Sequence, residues 1–199
     1  MDKKYTMLLY QTPDTVRSVA QGAFVVAYSP MTNQLEEYRF PSAVPELSPA
    51  YTLFTVPAAT VEPAYAIHGA ITCTKPDPRS QPFMPSFCFS FKMRYISPIG
   101  LKRLMLEYTQ KEQSMPECID LEKFYLFMLP QMQNAAQKAA AQFSGGRLLP
   151  YAYWWQDMIS GTKFRDAFEN ELRMLFNSYG FRLEMDSLKI MGLASIPVD

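Results

Sequence analysis

Apolar and polar positions alternate through the first half of the chain and then change period. Short alternating or apolar runs separated by turn residues predict strands at Tyr5–Tyr10, Gly22–Tyr28, Gln34–Phe40, Tyr51–Val56, Ala64–Thr74 and Ser86–Tyr95. In "SFCFSFKMRY", Phe87, Phe89, Phe91 and Met93 share one face, while Ser86, Cys88, Ser90, Lys92 and Arg94 share the other. That period of two is the mark of a half-buried strand. Eleven of the sixteen prolines fall between Pro13 and Pro85. They punctuate this half, because proline cannot donate to a strand ladder. The last two strands flank "KPDPRSQPFMPS", too proline-rich for a tight hairpin but compatible with an antiparallel pair.

Beyond Ser97–Pro98 the spacing turns helical. Leu101, Met105 and Tyr108 recur at i, i+4 and i+7. Asp120 is placed to cap a helix running to about Phe143, with Pro130 predicting a kink or a break and Ser144–Arg147 the stop. "YAYWWQDMIS" reads as a short helix or irregular segment before the last helix. In that helix, capped by Thr162 or Ser160, Phe164, Phe168, Leu172, Leu175 and Tyr179 form one apolar stripe. Gly180 fits the left-handed position after a helix, with Phe181 set to close over Phe176. Phe181, Leu183 and Met185 then alternate with Arg182, Glu184 and Asp186. From Leu188 and Ile190 onward the phase is even, so a bulge or a crossing to a new surface is expected near residue 186. The order predicts an α+β fold: mostly antiparallel strands in the N-terminal half, three to four helices from the C-terminal half, and a closing helix–glycine–strand unit. Residues 1–17 read as an N-terminal strand segment and residues 18–199 as the α+β domain, one globular domain overall.

Composition narrows the function. The 199 residues are 48% hydrophobic, enough for a real core. Nineteen basic residues balance nineteen acidic ones and neither half is polarised, so nucleic acid is not an expected partner. The apolar run near the N-terminus is too short for a signal peptide, and no stretch approaches the roughly 18 apolar residues of a membrane span. Cys73, Cys88 and Cys118, with no C-x-x-C pair, read as buried free thiols in a reducing compartment. A cytoplasmic protein is expected, with peripheral membrane contact as an open extension.

Catalytic signals are sparse. His68 is the sole histidine and sits in an alternating segment, where an ordinary strand residue is the commoner reading than a general base. The four Cys and His residues lack zinc spacing, and no nucleophile-elbow, dinucleotide or phosphate-loop motif occurs. "SGGR" reads as a helix stop before it reads as an anion cradle. The carboxylates Glu169 and Glu171, and Glu184 and Asp186, read as solvated faces. No catalytic residue, cofactor or metal is therefore assigned. One stretch competes for a binding role. Tyr151, Tyr153, Trp154 and Trp155 lie together, and adjacent tryptophans do not easily share a buried face. They are the candidate contact for a partner or a lipid headgroup, set against packing of both rings in the core.

Several of these stretches together resemble the SPFH domain, also called the prohibitin-homology or band 7 domain, of stomatin, prohibitin and flotillin. "VAQGAFVVAY" (Val19–Tyr28) is similar to the family's opening strand, and "YRFPSAVPELSP" occupies the place of its proline-rich loop. "FKMRYISPIGLKRLM" resembles the signature that leads from the second strand of an antiparallel pair into a helix, with Ser97 where the family has aspartate. "FENELRMLFNSYGFRLEMDSLKIMGL" resembles the closing helix, glycine joint and strand. The likeness spans about residues 18–193. It implies a non-enzymatic scaffold that self-associates, as a homo-oligomer, and organises protein partners at a membrane surface. A soluble partner-binding or phage-like structural protein is the alternative from another class. An enzyme built from carboxylates and tyrosines is a third.

Overall fold

A computed structural model describes residues 6–13, 15–67, 83–114, 117–143 and 162–197. Over them the chain is α+β, with antiparallel sheets and three helices. The strands are β1 (Thr6–Gln11), β2 (Ala23–Tyr28), β3 (Leu35–Arg39), β4 (Thr52–Pro57), β5 (Ala64–Ile67), β6 (Phe83–Ser90), β7 (Met93–Tyr95), β8 (Cys118–Asp120), β9 (Phe181–Leu183) and β10 (Lys189–Pro197). The helices are α1 (Pro98–Glu112), α2 (Leu121–Phe143) and α3 (Thr162–Ser178). Contacts divide the chain into two units, neither of them a continuous stretch. The first is Met1–Val61, Met93–Phe127 and Asn177–Arg182, and the second is Glu62–Lys92, Met128–Phe176 and Leu183–Asp199.

The first unit is built on a five-stranded sheet ordered β3-β2-β4-β1-β8. Val25 and Val26 on β2, and Leu53 and Phe54 on β4, are all buried, so the sheet is covered on both faces. One face, with Val25, Ala27 and Leu53, packs under the loop residues Val16, Val19 and Val44. β2 turns into β3 through Asn33, whose positive φ of 58° lets the Ser29 amide reach Gln34 O at 2.9 Å. α1 opens on Pro98, where the missing amide costs nothing. It buries Gly100, Leu101, Leu104, Met105 and Tyr108, the predicted spacing plus two neighbours.

The second unit is built on the three-stranded sheet β10-β6-β5. Phe87 and Phe89 on β6, and Phe91 just beyond it, are almost wholly buried, as the alternation predicts. Phe87 meets Phe164 and Phe168 edge-on at 5.9 and 5.7 Å, and Phe91 meets Phe176 at 4.9 Å. The stripe on α3 thus runs through Phe164, Phe168, Leu172 and Phe176. Leu175, expected in its place, is half-buried, because Phe176 continues the four-residue step.

Three other expectations are corrected. α2 is one helix through Pro130, so of the expected kink or break the break does not occur. The carbonyl that the proline leaves unbonded belongs to Leu126, which faces solvent, and water can satisfy it. Cys88 is exposed rather than buried, on the outer face of β6, and Cys118 is half-buried; Cys73 lies outside the described residues. Glu169, expected on a solvated face, is 7% exposed. Asp120 does cap α2, its Oδ1 accepting the Lys123 amide at 2.8 Å. The phase slip after Met185 is a crossing. β9 pairs with β7, the chain turns at Asp186 with φ 55°, and β10 pairs with β6.

Candidate functional site

Two connected sets of polar groups in the first unit stand beside one backbone joint. α3 ends at Ser178, and Gly180 follows with φ 86°, a conformation costly to residues with a Cβ. Its carbonyl accepts the amides of Ile96 at 2.8 Å and Ser97 at 3.3 Å. Gly100, in the first turn of α1, lies so close that a Cβ there would sit 2.0 Å from Gly180 N. A Cβ on Gly180 would sit 2.4 Å from Ser97 O. Both glycines are therefore required by close backbone approach.

A tyrosine stands beside each half of this joint. Tyr95, next to Ile96, donates its hydroxyl to Glu37 Oε2 at 2.6 Å, and Arg39 Nε donates to Glu37 Oε1 at 2.7 Å. Tyr179, next to Gly180, donates to Glu107 Oε2 at 2.6 Å, and Arg103 Nε donates to Glu107 Oε1 at 2.7 Å. The arginines also lie over aromatic rings, Arg39 over Phe24 at 5.3 Å and Arg103 over Tyr179 at 4.9 Å. The result is the same tyrosine–glutamate–arginine arrangement twice, once on β3 and once on α1.

The electrostatics of these groups favour holding over proton transfer. Burial and the Glu37 hydrogen bond raise the Tyr95 phenol well above its ordinary value, so it stays a donor at any physiological pH. Burial pushes Glu107 upward, but the hydrogen bonds from Tyr179 and Arg103 outweigh it and hold the carboxyl below the ordinary range. Beside Tyr95 a shallow hollow of about 10 Å³ opens among Met7, Val56, Val61, Arg94 and Phe181. That is room for roughly one water, far short of the roughly 300–1,000 Å³ of sites that engulf a small-molecule ligand.

In the second unit, Glu169 on α3 is buried, and its Oε1 has no hydrogen-bond partner among the described residues. Burial raises its carboxyl above the ordinary range. A hydrogen bond from the Asp186 backbone and the charges of Arg173 and Arg165 offset part of that. At the surface of the same unit, Lys189 Nζ lies 3.0 Å from Glu62 Oε1 and holds Glu62 below its ordinary value.

The aromatic residues singled out from sequence, Tyr151, Tyr153, Trp154 and Trp155, lie outside the described residues, as do His68 and the "SGGR" segment. Among the described residues, no group of three or more His, Cys, Asp or Glu side chains is arranged to hold a metal ion. No helix among them is long and apolar enough to cross a membrane. The two tyrosine clusters were not foreseen. Their local signals are the four-residue spacing of Arg103 and Glu107 on α1 and the two-residue spacing of Glu37 and Arg39 on β3. No family model matches the sequence, and no curated protein matches it significantly.

Proposed function

We propose that the chain is a non-enzymatic assembly module of the SPFH type, which self-associates and organises partner proteins through peripheral contact with a membrane. One observation carries this proposal: two stretches that each resemble part of that domain in sequence meet in space. The segment around Arg94–Pro98 and the joint Tyr179–Gly180–Phe181 are hydrogen-bonded to one another through Gly180 O, across glycines that exclude any larger residue. Motifs matched separately along the chain behave as two halves of one structural unit.

A contact surface is also available. Ile99 and Leu106, seven residues apart on α1, are 72% and 51% exposed, and Arg103 lies between them. An apolar stripe with an arginine on it suits the boundary between headgroups and acyl chains. The test combines light scattering with sedimentation on vesicles containing phosphatidylserine. The full chain is expected to form oligomers and to pellet with vesicles, and Ile99→Asp with Leu106→Asp to leave it in the supernatant. Oligomers with no vesicle binding would favour the soluble structural alternative. A monomer that ignores vesicles would end the proposal.

A further inference from the structure

Between β9 and β10 the chain makes a turn, Glu184–Ser187, that has little to hold it down. Its outermost side chains, Met185 and Asp186, are exposed, so no apolar burial fixes it. Asp186 takes the left-handed conformation, with φ 55°, that a Cβ disfavours. What remains is a short set of hydrogen bonds. Glu184 N donates to Lys92 O at 2.9 Å, Lys92 N donates to Ser187 Oγ at 3.1 Å, and that hydroxyl donates to Glu184 O at 2.7 Å. A further bond ties the turn to α3, where the Asp186 amide donates to the carboxyl of Glu169.

That bond occupies one oxygen of Glu169. The other, Oε1, is buried with no partner among the described residues. Arg165 and Arg173, about one turn to either side on α3, favour the anion, and Asp186 on the turn opposes it. Arg165 is shared with Asp166 at 3.1 Å, and Lys138 of α2 is drawn to Glu171 at 3.8 Å. Glu184, half-buried on the same turn, adds another negative charge. An ionised Glu169 is therefore a buried charge short of one bond, and moving the turn aside gives it water.

We propose that the Glu184–Ser187 turn is a proton-operated latch, closed over Glu169 while that carboxyl is neutral and released when it ionises. With the turn closed, burial holds the proton on Glu169 above the ordinary carboxylate range, and an open turn restores the ordinary value. Closure is therefore fully favoured below the ordinary value and loses ground as pH rises through the closed-state one. The motion is confined to the turn. α3 stays on its sheet because Phe164, Phe168 and Phe176 are fully buried against Phe87 and Phe91, and none of these contacts involves the turn.

The experiment is amide hydrogen exchange by NMR on the full chain, from roughly pH 4 to 8, with rates corrected for intrinsic exchange. Protection of the Asp186, Glu184 and Lys92 amides should fall as pH rises, by at most about tenfold per pH unit, the limit for one proton. It should level off at the pH where the Glu169 carboxyl carbon itself titrates. Low urea should leave these amides unaffected, as a local opening requires, while the Phe87 and Phe89 amides of β6 respond to it. Glu169→Gln should make protection of the turn independent of pH. A turn that shares the urea response of β6 overturns the proposal, because it then opens only with the whole unit. So does an unchanged pH dependence in Glu169→Gln. If that variant folds poorly, the unsubstituted chain decides: a plateau away from the titration of Glu169 assigns the response to another group and ends the proposal.

Discussion

Glu37 and Glu107, in the first unit, each divide their two oxygens between a tyrosine hydroxyl and an arginine Nε. Glu169, in the second, is more deeply buried and keeps one oxygen without a partner among the described residues. The same side chain is held ionised in one setting, as Glu107 shows, and pushed toward neutrality in the other. The supply of donors decides the outcome. A half-exposed carboxylate with two donors is a stable anion, whereas a buried one short of donors resists charge. The first unit therefore stores its polar order around the Gly100–Gly180 joint, while the second relies on packed phenylalanines and tolerates one dissatisfied acid.

The most forceful way to break this contrast is to pry the joint apart. Gly100→Ala drives a methyl into Gly180 N and should unseat Tyr95 and Tyr179 together, at a cost of about 3 kcal/mol or more in chemical denaturation. A loss below about 1 kcal/mol would mean that the joint yields and does not position the clusters.

A gentler substitution sharpens it. Tyr179→Phe removes one donor from Glu107 and should cost about 1.5 kcal/mol at neutral pH, the low end for a bond to a charged group because Glu107 is partly exposed. The folded pKa of Glu107 is depressed, so its contribution is present above the unfolded pKa and is lost as pH falls through the folded one. Urea titrations of the two proteins should differ at neutral pH and converge in acid. An equal gap at both ends would show that Glu107 is not the group involved.

The smallest effect has the opposite sign. Glu169→Gln keeps the shape of the side chain and removes the buried charge, and should stabilise the protein by up to about 1 kcal/mol near neutrality. The folded pKa of Glu169 is raised, so its stability is intact below the unfolded pKa and is lost as pH rises through the folded one. The advantage of glutamine should vanish on acidification. If melting temperatures show a loss at neutral pH instead, Glu169 has an ionised role.

Much of the architecture was legible along the chain, and the exceptions share a cause. Phe87, Phe89, Phe91 and Met93 announce their burial because period two is local, although the one strand expected over Ser86–Tyr95 breaks after Ser90 into β6 and β7, which join different sheets. Asp120 announces its cap because the bonded amide is three residues on. β8 was missed because three residues cannot express a period. Phe176 displaced Leu175 because a helix of 3.6 residues per turn offers both at the edge of its stripe, and only the partner Phe91 chooses between them. The Tyr95–Glu37 and Tyr179–Glu107 pairs join residues 58 and 72 positions apart, and no spacing rule reaches that far. Glu169 was misread because a carboxylate one residue past Phe168 looks solvated until the turn at Asp186 covers it.

The joint also sets a timetable. α1 cannot pack Gly100 against Gly180, nor Glu107 against Tyr179 72 positions on, until those downstream residues have been synthesised. A ribosome adding roughly 5–20 residues per second leaves α1 without that partner for several seconds. During that interval the side of α1 around Gly100 and Glu107, which Gly180 and Tyr179 later cover, is the surface a chaperone would meet.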